Sequence, residues 1–213
     1  MDKLVLIGGG GHCKSVLNSA LRMNSFSEIV ITDPALPKGS NILGCKVVGS
    51  DDMLPVLKHN GFDLAFITVG SLKSAALRIK LAKAAAELGF RFPVIADPTA
   101  SVSKHVQIGA GTFIGCNAVI NADVQIGEHC IINTGAIVEH ECKVGDFTHI
   151  SVGAVLCGNV CVGSDSLIGA GSTVIQGVHV GNNVIAGANS TVLADVEDNI
   201  MTYGVNKHLF RGG

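Results

Sequence analysis

The sequence contains no tryptophan and one tyrosine, with aromatics at 4% and charged residues at only 15% of 213 residues. A core without bulky rings must be built from small aliphatics stacked in register, and the 27 glycines suit such a chain. Fifteen Lys and Arg against 17 Asp and Glu leave a net charge of −2, without the clustered basic footprint of a nucleic-acid partner. Gly or charge interrupts every apolar run well before about 18 residues, so no membrane span is expected. The start, Met1-Asp2-Lys3-Leu4-Val5-Leu6-Ile7-Gly8, lacks the basic flank and small-residue cleavage site of an export signal. It reads as a strand running into a glycine turn. Seven cysteines are an odd number and form no Cys-x-x-Cys pair. They are expected as reduced thiols acting as small apolar residues of a cytoplasmic protein.

What is present is a repeat. Stepping by six from Val102 meets Ile108, Ile114, Ile120, Ile126, Ile132, Val138 and Val144. The walk continues through Ile150, Leu156, Val162, Ile168, Val174, Val180, Ala186 and Val192, with Ala186 the sole departure from Val, Ile or Leu. Two residues before each stands a small or β-branched residue, and a Gly often follows, as at Gly109, Gly127, Gly145, Gly163 and Gly181. The pattern describes one side of a triangular prism: aliphatic inward, small residue at the closing corner, Gly for backbone angles that other residues resist. Three sides make one coil of 18 residues. Because the register is never interrupted, any catalytic group must sit on the coils themselves.

The first half has another rhythm. Strands are expected at Leu4–Ile7, Ile29–Thr32, Lys46–Val48, Leu64–Val69 and Phe92–Ile95, and helices at His12–Met23, Asp51–Asn60 and Ser71–Leu88. Alternation of this kind implies a small Rossmann-like parallel α/β sheet. The boundary is placed by the Pro98-Thr99-Ala100 step, giving domains 1–97 and 98–213.

Gly8-Gly9-Gly10-Gly11-His12 follows the first strand and opens the first helix, where backbone N–H groups and the helix dipole can hold a phosphate. Cys13 replaces the third Gly of G-x-G-x-x-G, which turns the reading from a dinucleotide towards another nucleotide. Asp33 ends the second strand and can accept hydrogen bonds from a ribose or a uracil-type edge. Gly70 closes the strand beginning at Leu64 on the same sheet edge, where ligands gather. In the second half, the segment Asn133-Thr134-Gly135-Ala136-Ile137-Val138-Glu139-His140-Glu141-Cys142 concentrates polar groups. His140 and Glu141 lie off the inward positions, so both can reach the surface. A neutral imidazole beside a carboxylate is a natural general base for attack of an amine or hydroxyl on a thioester, although such a dipeptide is more often a solvated ion pair.

The run from His140-Glu141-Cys142 through Thr148-His149-Ile150 to Gly158-Asn159-Val160 resembles the catalytic stretch of the bacterial hexapeptide-repeat sugar acyltransferases. That family includes UDP-4-amino-sugar N-acetyltransferases and sialic acid O-acetyltransferases, and the resemblance covers nearly the whole chain. It implies a left-handed β-helix and a homotrimer with active sites between subunits. The co-substrate is acetyl-CoA, with no metal, and the acceptor is the 4-amino group of a UDP-linked amino-dideoxy-sugar used in surface glycans. A sialic acid hydroxyl is the alternative acceptor. It implies His140 as base with Glu141 raising its basicity, His149 at the thioester end, and the Gly158 N–H at the oxyanion. Ala170 and Ala188 would line the pantetheine path. Gly10, Gly11, His12, Asp33 and Gly70 would hold the nucleotide-sugar, with Asn133 holding water or substrate. Two places depart from the family: the segment after Gly70 is longer, and Tyr203-Gly204-Val205-Asn206-Lys207 replaces a Gly-x-Pro-Ala-Lys ending, where Lys207 would meet a CoA phosphate. Two other readings stand beside this one: a zinc hydrolyase using His129, His140 and His149, and a non-catalytic nucleotide-sugar sensor.

Overall fold

A computed structural model of the chain describes residues 1–70 and 74–206; Lys207 and part of the segment after Gly70 lie outside them. The chain folds as two compact units, one of Met1–Pro98 and one beginning at Thr99.

In the first unit, β1 (Asp2–Ile7), α1 (Gly11–Met23), β2 (Phe26–Thr32), β3 (Asn41–Ile42), β4 (Cys45–Gly49), α2 (Leu54–His59), β5 (Leu64–Ile67) and α3 (Ala76–Glu87) follow in order. The sheet order is β3-β4-β2-β1-β5. Leu4, Val5, Leu6 and Ile7 are all buried, as a central parallel strand covered on both faces requires. Helix α1 buries Cys13, Val16, Leu17 and Ala20, a 3- and 4-residue spacing that makes one apolar stripe. It ends at Asn24 in the left-handed conformation. Buried Asp97 accepts hydrogen bonds from Ser19 Oγ (2.8 Å) and Arg22 Nη1 (2.9 Å), tying the end of the unit back to α1.

Three details differ from the sequence reading. The sheet is parallel except at β3, which pairs antiparallel with β4 through a turn at Leu43 and Gly44, with φ of +47° and +90°. Of the strand expected at Phe92–Ile95, only Ile95–Ala96 forms; Pro93 has no N–H to give a ladder. The helix expected from Asp51 begins as a 3₁₀ turn over Asp51–Met53.

From Ser101 onward the chain is a left-handed parallel β-helix of two-residue strands on three faces. Residues 18 apart pair in register, as Ile120, Val138, Leu156, Val174 and Val192 do on one face. From Thr112 on, both the repeating aliphatic and the small residue two places before it point inward. Several small residues also join the coils. Thr148 Oγ1 donates to the Gly163 carbonyl (2.6 Å) and accepts the Ser166 N–H (3.1 Å). Cys130 and Cys142 donate similarly to the carbonyls of Gly145 and Cys157, both at 3.1 Å. These thiols therefore act as hydroxyl-like bridges rather than as purely apolar filling. Burial pushes Cys142 up to about 11.

The glycines after the aliphatics have a different reason from the one read in the sequence. Gly127, Gly145, Gly163 and Gly181 have ordinary φ. They are needed because the next coil leaves no room: a Cβ on Gly163 would stand 2.7 Å from the Asn182 nitrogen. The left-handed residues come two places later at each corner and include Asn117, Gly135, Gly153, Gly171 and Asn189. Gly163→Ala is therefore expected to cost about 1–3 kcal/mol through backbone displacement. Gly153→Asn, open in space and with Asn already at the equivalent corners, should stay within about 0.5 kcal/mol. Thermal melts of the two variants check the contrast; equal losses would contradict it.

Candidate active site

His140 and Glu141 form a corner of the prism, where the chain leaves the strand Ile137–Val138 and turns into Lys143–Val144. Glu141 takes the left-handed conformation, φ +61°, and this turn lifts both side chains off the coil. The His140 Nδ1 lies 3.1 Å from Glu141 Oε2, with the side chains 51% and 63% exposed. An ion pair so exposed adds little to stability, but it fixes the ring. In the neutral tautomer in which Nδ1 donates to the carboxylate, Nε2 is the acceptor. Nε2 has no protein partner among the described residues.

The imidazole rests on Gly158 of the next coil. A Cβ there would stand 2.5 Å from His140 Cε1 and 2.6 Å from Nε2, so only glycine lets the ring settle. Gly158 is buried, and its N–H donates to no acceptor among the described residues. Glu139 steadies the approach to this corner: its Oε2 accepts from Asn121 Nδ2 (2.9 Å) and from the His140 N–H (3.3 Å). Sequence reasoning missed this pair; the signal was the 18-residue spacing from Asn121 to Glu139.

The other expected residues of the β-helix occupy a different corner. Asn133 Nδ2 lies 3.1 Å from His149 Nε2, and His149 is buried. Asn133, Ala170 and Ala188 border the turns that carry Gly135, Gly171 and Asn189 in the left-handed region; Ala170 and Ala188 are exposed. Between this corner and that of His140 lies the face built by Val119–Ile120, Ile137–Val138, Val155–Leu156 and Thr173–Val174. One chain thus holds the two groups at opposite edges of a face. His129 stands at the third corner, stacked on Phe147 with ring centroids 4.9 Å apart. Among the described residues, no group of three or more His, Cys, Asp and Glu side chains could hold a metal.

In the first unit, Gly10, Gly11 and His12 lie at the start of α1, beyond the C-terminal end of β1, and Gly70 lies beside His12. Among the described residues nothing stands within 4 Å of a Cβ built on Gly10 or Gly11, and Gly10 makes no side-chain cap bond to the helix. The Asp33 carboxylate is held by the Gly9 N–H (2.6 Å) and by the N–H groups of Ala35 (2.8 Å) and Leu36 (3.1 Å). A cavity of about 390 Å³ adjoins this turn, lined by Gly9, Lys14, Leu36, Asn41 and Leu43 among others. Lys14 and the β3–β4 hairpin were not singled out from the sequence, because a short hairpin and one helix lysine leave no distinctive spacing.

A family model described as the PglD N-terminal domain matches residues 3–85. Residues 105–140 match bacterial transferase hexapeptide (six repeats), and residues 159–194 match the hexapeptide repeat of succinyl-transferase. The acetyltransferase domain of PglB from Neisseria gonorrhoeae FA1090, solved with acetyl coenzyme A, is 36% identical, with 95% of this chain and 96% of that one covered and a TM-score of 0.88. A histidine-to-alanine variant of GDP-perosamine N-acetyltransferase from Caulobacter crescentus, solved with CoA and GDP-perosamine, is 35% identical, with 96% and 94% covered and a TM-score of 0.87. WeeI from Acinetobacter baumannii AYE shares the fold at 20% identity, with 96% and 97% covered and a TM-score of 0.83. No curated protein matches the sequence.

Proposed function

The chain belongs to the hexapeptide-repeat sugar acetyltransferases, and on that premise we propose that it transfers acetyl from acetyl-CoA to the 4-amino group of a nucleotide-linked amino-dideoxy-sugar. The observation that carries this reading is His140, hydrogen-bonded to Glu141 with Nε2 open and seated against Gly158. The amine attacks the thioester carbonyl, and Nε2 takes the proton it sheds. The Gly158 N–H faces the developing oxyanion. Collapse breaks the C–S bond, and the imidazolium returns its proton to the CoA thiolate.

The helix start at Gly10, Gly11 and His12 suits the diphosphate, with Lys14 close by. The adjoining cavity suits the base and ribose beside Asp33. UDP is the proposed carrier; the likeness to a GDP-perosamine enzyme makes GDP the specific second reading. Because His140 and the Asn133–His149 corner stand on opposite edges of one face, we assign the complete site to two subunits of a homotrimer. His149, Ala170 and Ala188 then come from the neighbour and line the acetyl-CoA path. Nucleotide-linked and CoA-linked substrates support the reading of a cytoplasmic enzyme that supplies surface-glycan synthesis.

The test is thiol release from acetyl-CoA in the presence of UDP- and GDP-linked 4-amino-sugars, and separately of sialic acid. Turnover of an amino-sugar is expected, and the preferred carrier names the nucleotide. Turnover of sialic acid alone would replace the amine with a hydroxyl acceptor.

Glu141 allows a sharper check. Its left-handed backbone costs about 1 kcal/mol that glycine would not incur. Glu141→Gly is expected to raise the melting temperature by about 2–4 °C while lowering kcat by about 10–100-fold through loss of ring orientation. A gain in stability with activity unchanged would remove Glu141 from the site.

A further inference from the structure

The corner that carries His140 can be followed coil by coil, because residues 18 apart stack there. One row through it runs Lys104, Ala122, His140 and Gly158. Main-chain bonds join the adjoining row, His105, Asp123, Glu141 and Asn159, to the same coils. The Asp123 N–H donates to the His105 carbonyl (2.8 Å), and the Glu141 N–H to the Ala122 carbonyl (3.0 Å). On the other side lies the row that follows the inward aliphatics: Ser103, Asn121, Glu139, Cys157, Ile175 and Leu193. It is polar up to Glu139 and apolar from Cys157 on. The row through His140 also changes there, from a cation and a methyl before it to the bare Gly158 after it. Lys104 is exposed and makes no ion pair among the described residues. With His105, Gln107, Asp123 and Gln125 it lines a cavity of about 320 Å³.

We propose that the acceptor reaches His140 along the earlier coils of this corner, with its sugar ring over Ala122 and its sugar-linked phosphate on Lys104. The inference rests on the acetyl transfer proposed above. In that reaction the CoA arm passes Ala170 and Ala188, which belong to later coils than His140. The earlier coils are therefore the side left for the nucleophile. Ala122 and Lys104 lie one and two coil rises from His140, about 5 and 10 Å at a strand spacing of about 4.8 Å. In a pyranose, the 4-amino group and the phosphate on C1 stand at opposite ends of the ring. Ala122 gives that ring a shallow seat. The flexible four-carbon stem of Lys104 then lets its ammonium meet the phosphate as a point charge. Lys104 is thus a specificity-determining residue: it favours an acceptor with a phosphate on C1 over one without.

Steady-state kinetics with a nucleotide-linked 4-amino-sugar test this. Lys104→Ala is expected to raise KM for the acceptor about five- to tenfold, with KM for acetyl-CoA and the melting temperature unchanged. Lys104→Arg should restore it. Ala122→Leu, which fills the seat, should raise the acceptor KM and leave that of acetyl-CoA alone. Competition then places the contact on the phosphate. The 4-hydroxy analogue of the sugar 1-phosphate should inhibit better than its methyl glycoside, and Lys104→Ala should remove that advantage. An acceptor KM unchanged in either variant overturns the proposal while the acetyl transfer itself stands. So does a phosphate advantage that is absent from the parent chain or survives in Lys104→Ala. Acetylation of sialic acid alone, or of no sugar, would sink the proposed acceptor and the phosphate contact with it.

Discussion

His140→Ala is expected to lower kcat for acetyl transfer by about three orders of magnitude, within the roughly 10²–10⁴ that a positioned general base contributes. KM for acetyl-CoA should change by less than about twofold, because the imidazole meets the amine's proton and not the CoA arm. The reason lies in the corner geometry. Nδ1 is held by Glu141 at 3.1 Å, and Nε2 is left without a protein partner among the described residues. Neither of the other coil histidines near this level can take its place: His149 is buried against Asn133 at another edge of the prism, and His129 is stacked on Phe147 at a third. The fold should survive, since the ring is half exposed and holds no coil together. Thiol-release kinetics and a CoA titration of the same variant separate the two effects. A variant that keeps a tenth or more of kcat would assign the proton to another group.

Gly158→Ala should be almost as damaging, by a different route. The new methyl would stand 2.5 Å from His140 Cε1 and 2.6 Å from Nε2, about 1 Å inside ordinary contact distance. The coil backbone need not move, because Gly158 is not in the left-handed region and its nearest neighbours are all atoms of the His140 ring. The exposed ring must therefore swing away from Gly158 and out of its bond to Glu141. Misplacement of about 1 Å in a catalytic group costs about 10²-fold in rate. The expected result is a loss of kcat of about a hundredfold with a melting temperature near that of the parent chain. In a His140→Ala background the same substitution should cost little more, because its effect acts through the ring. Additive losses in the double variant would show that the new methyl disturbs the oxyanion contact independently of the ring.

Several parts of this picture were legible in the residues. The six-residue walk from Val102 to Val192 sets the inward face of each strand, because the same place in every side of a three-sided coil faces the axis. His140 and Glu141 stood off that walk and so had to reach the surface. The first-half alternation gave the α/β unit, and Gly8 to Gly11 located its helix start. Other parts were not legible. Asn41 to Cys45 carries too short a pattern to announce an antiparallel hairpin, and a left-handed Leu43 has no signature of its own. Asn121 and Glu139 look unrelated until an 18-residue coil brings them into contact.

By itself, then, the sequence determined what is periodic and local: the coil, its inward aliphatics, the family and the imidazole–carboxylate pair, since adjacent residues and fixed repeats carry their geometry with them. Only the tertiary structure decided what depends on stacking. It assigned the glycines after the aliphatics to close coil contact and put the left-handed turns two places further on. It seated His140 on Gly158, a residue 18 positions away. It also separated His140 from Asn133 and His149 by a full face of the prism. Residues close in the chain diverge there because each corner turns them onto a new side, while residues a whole coil apart come to lie against one another.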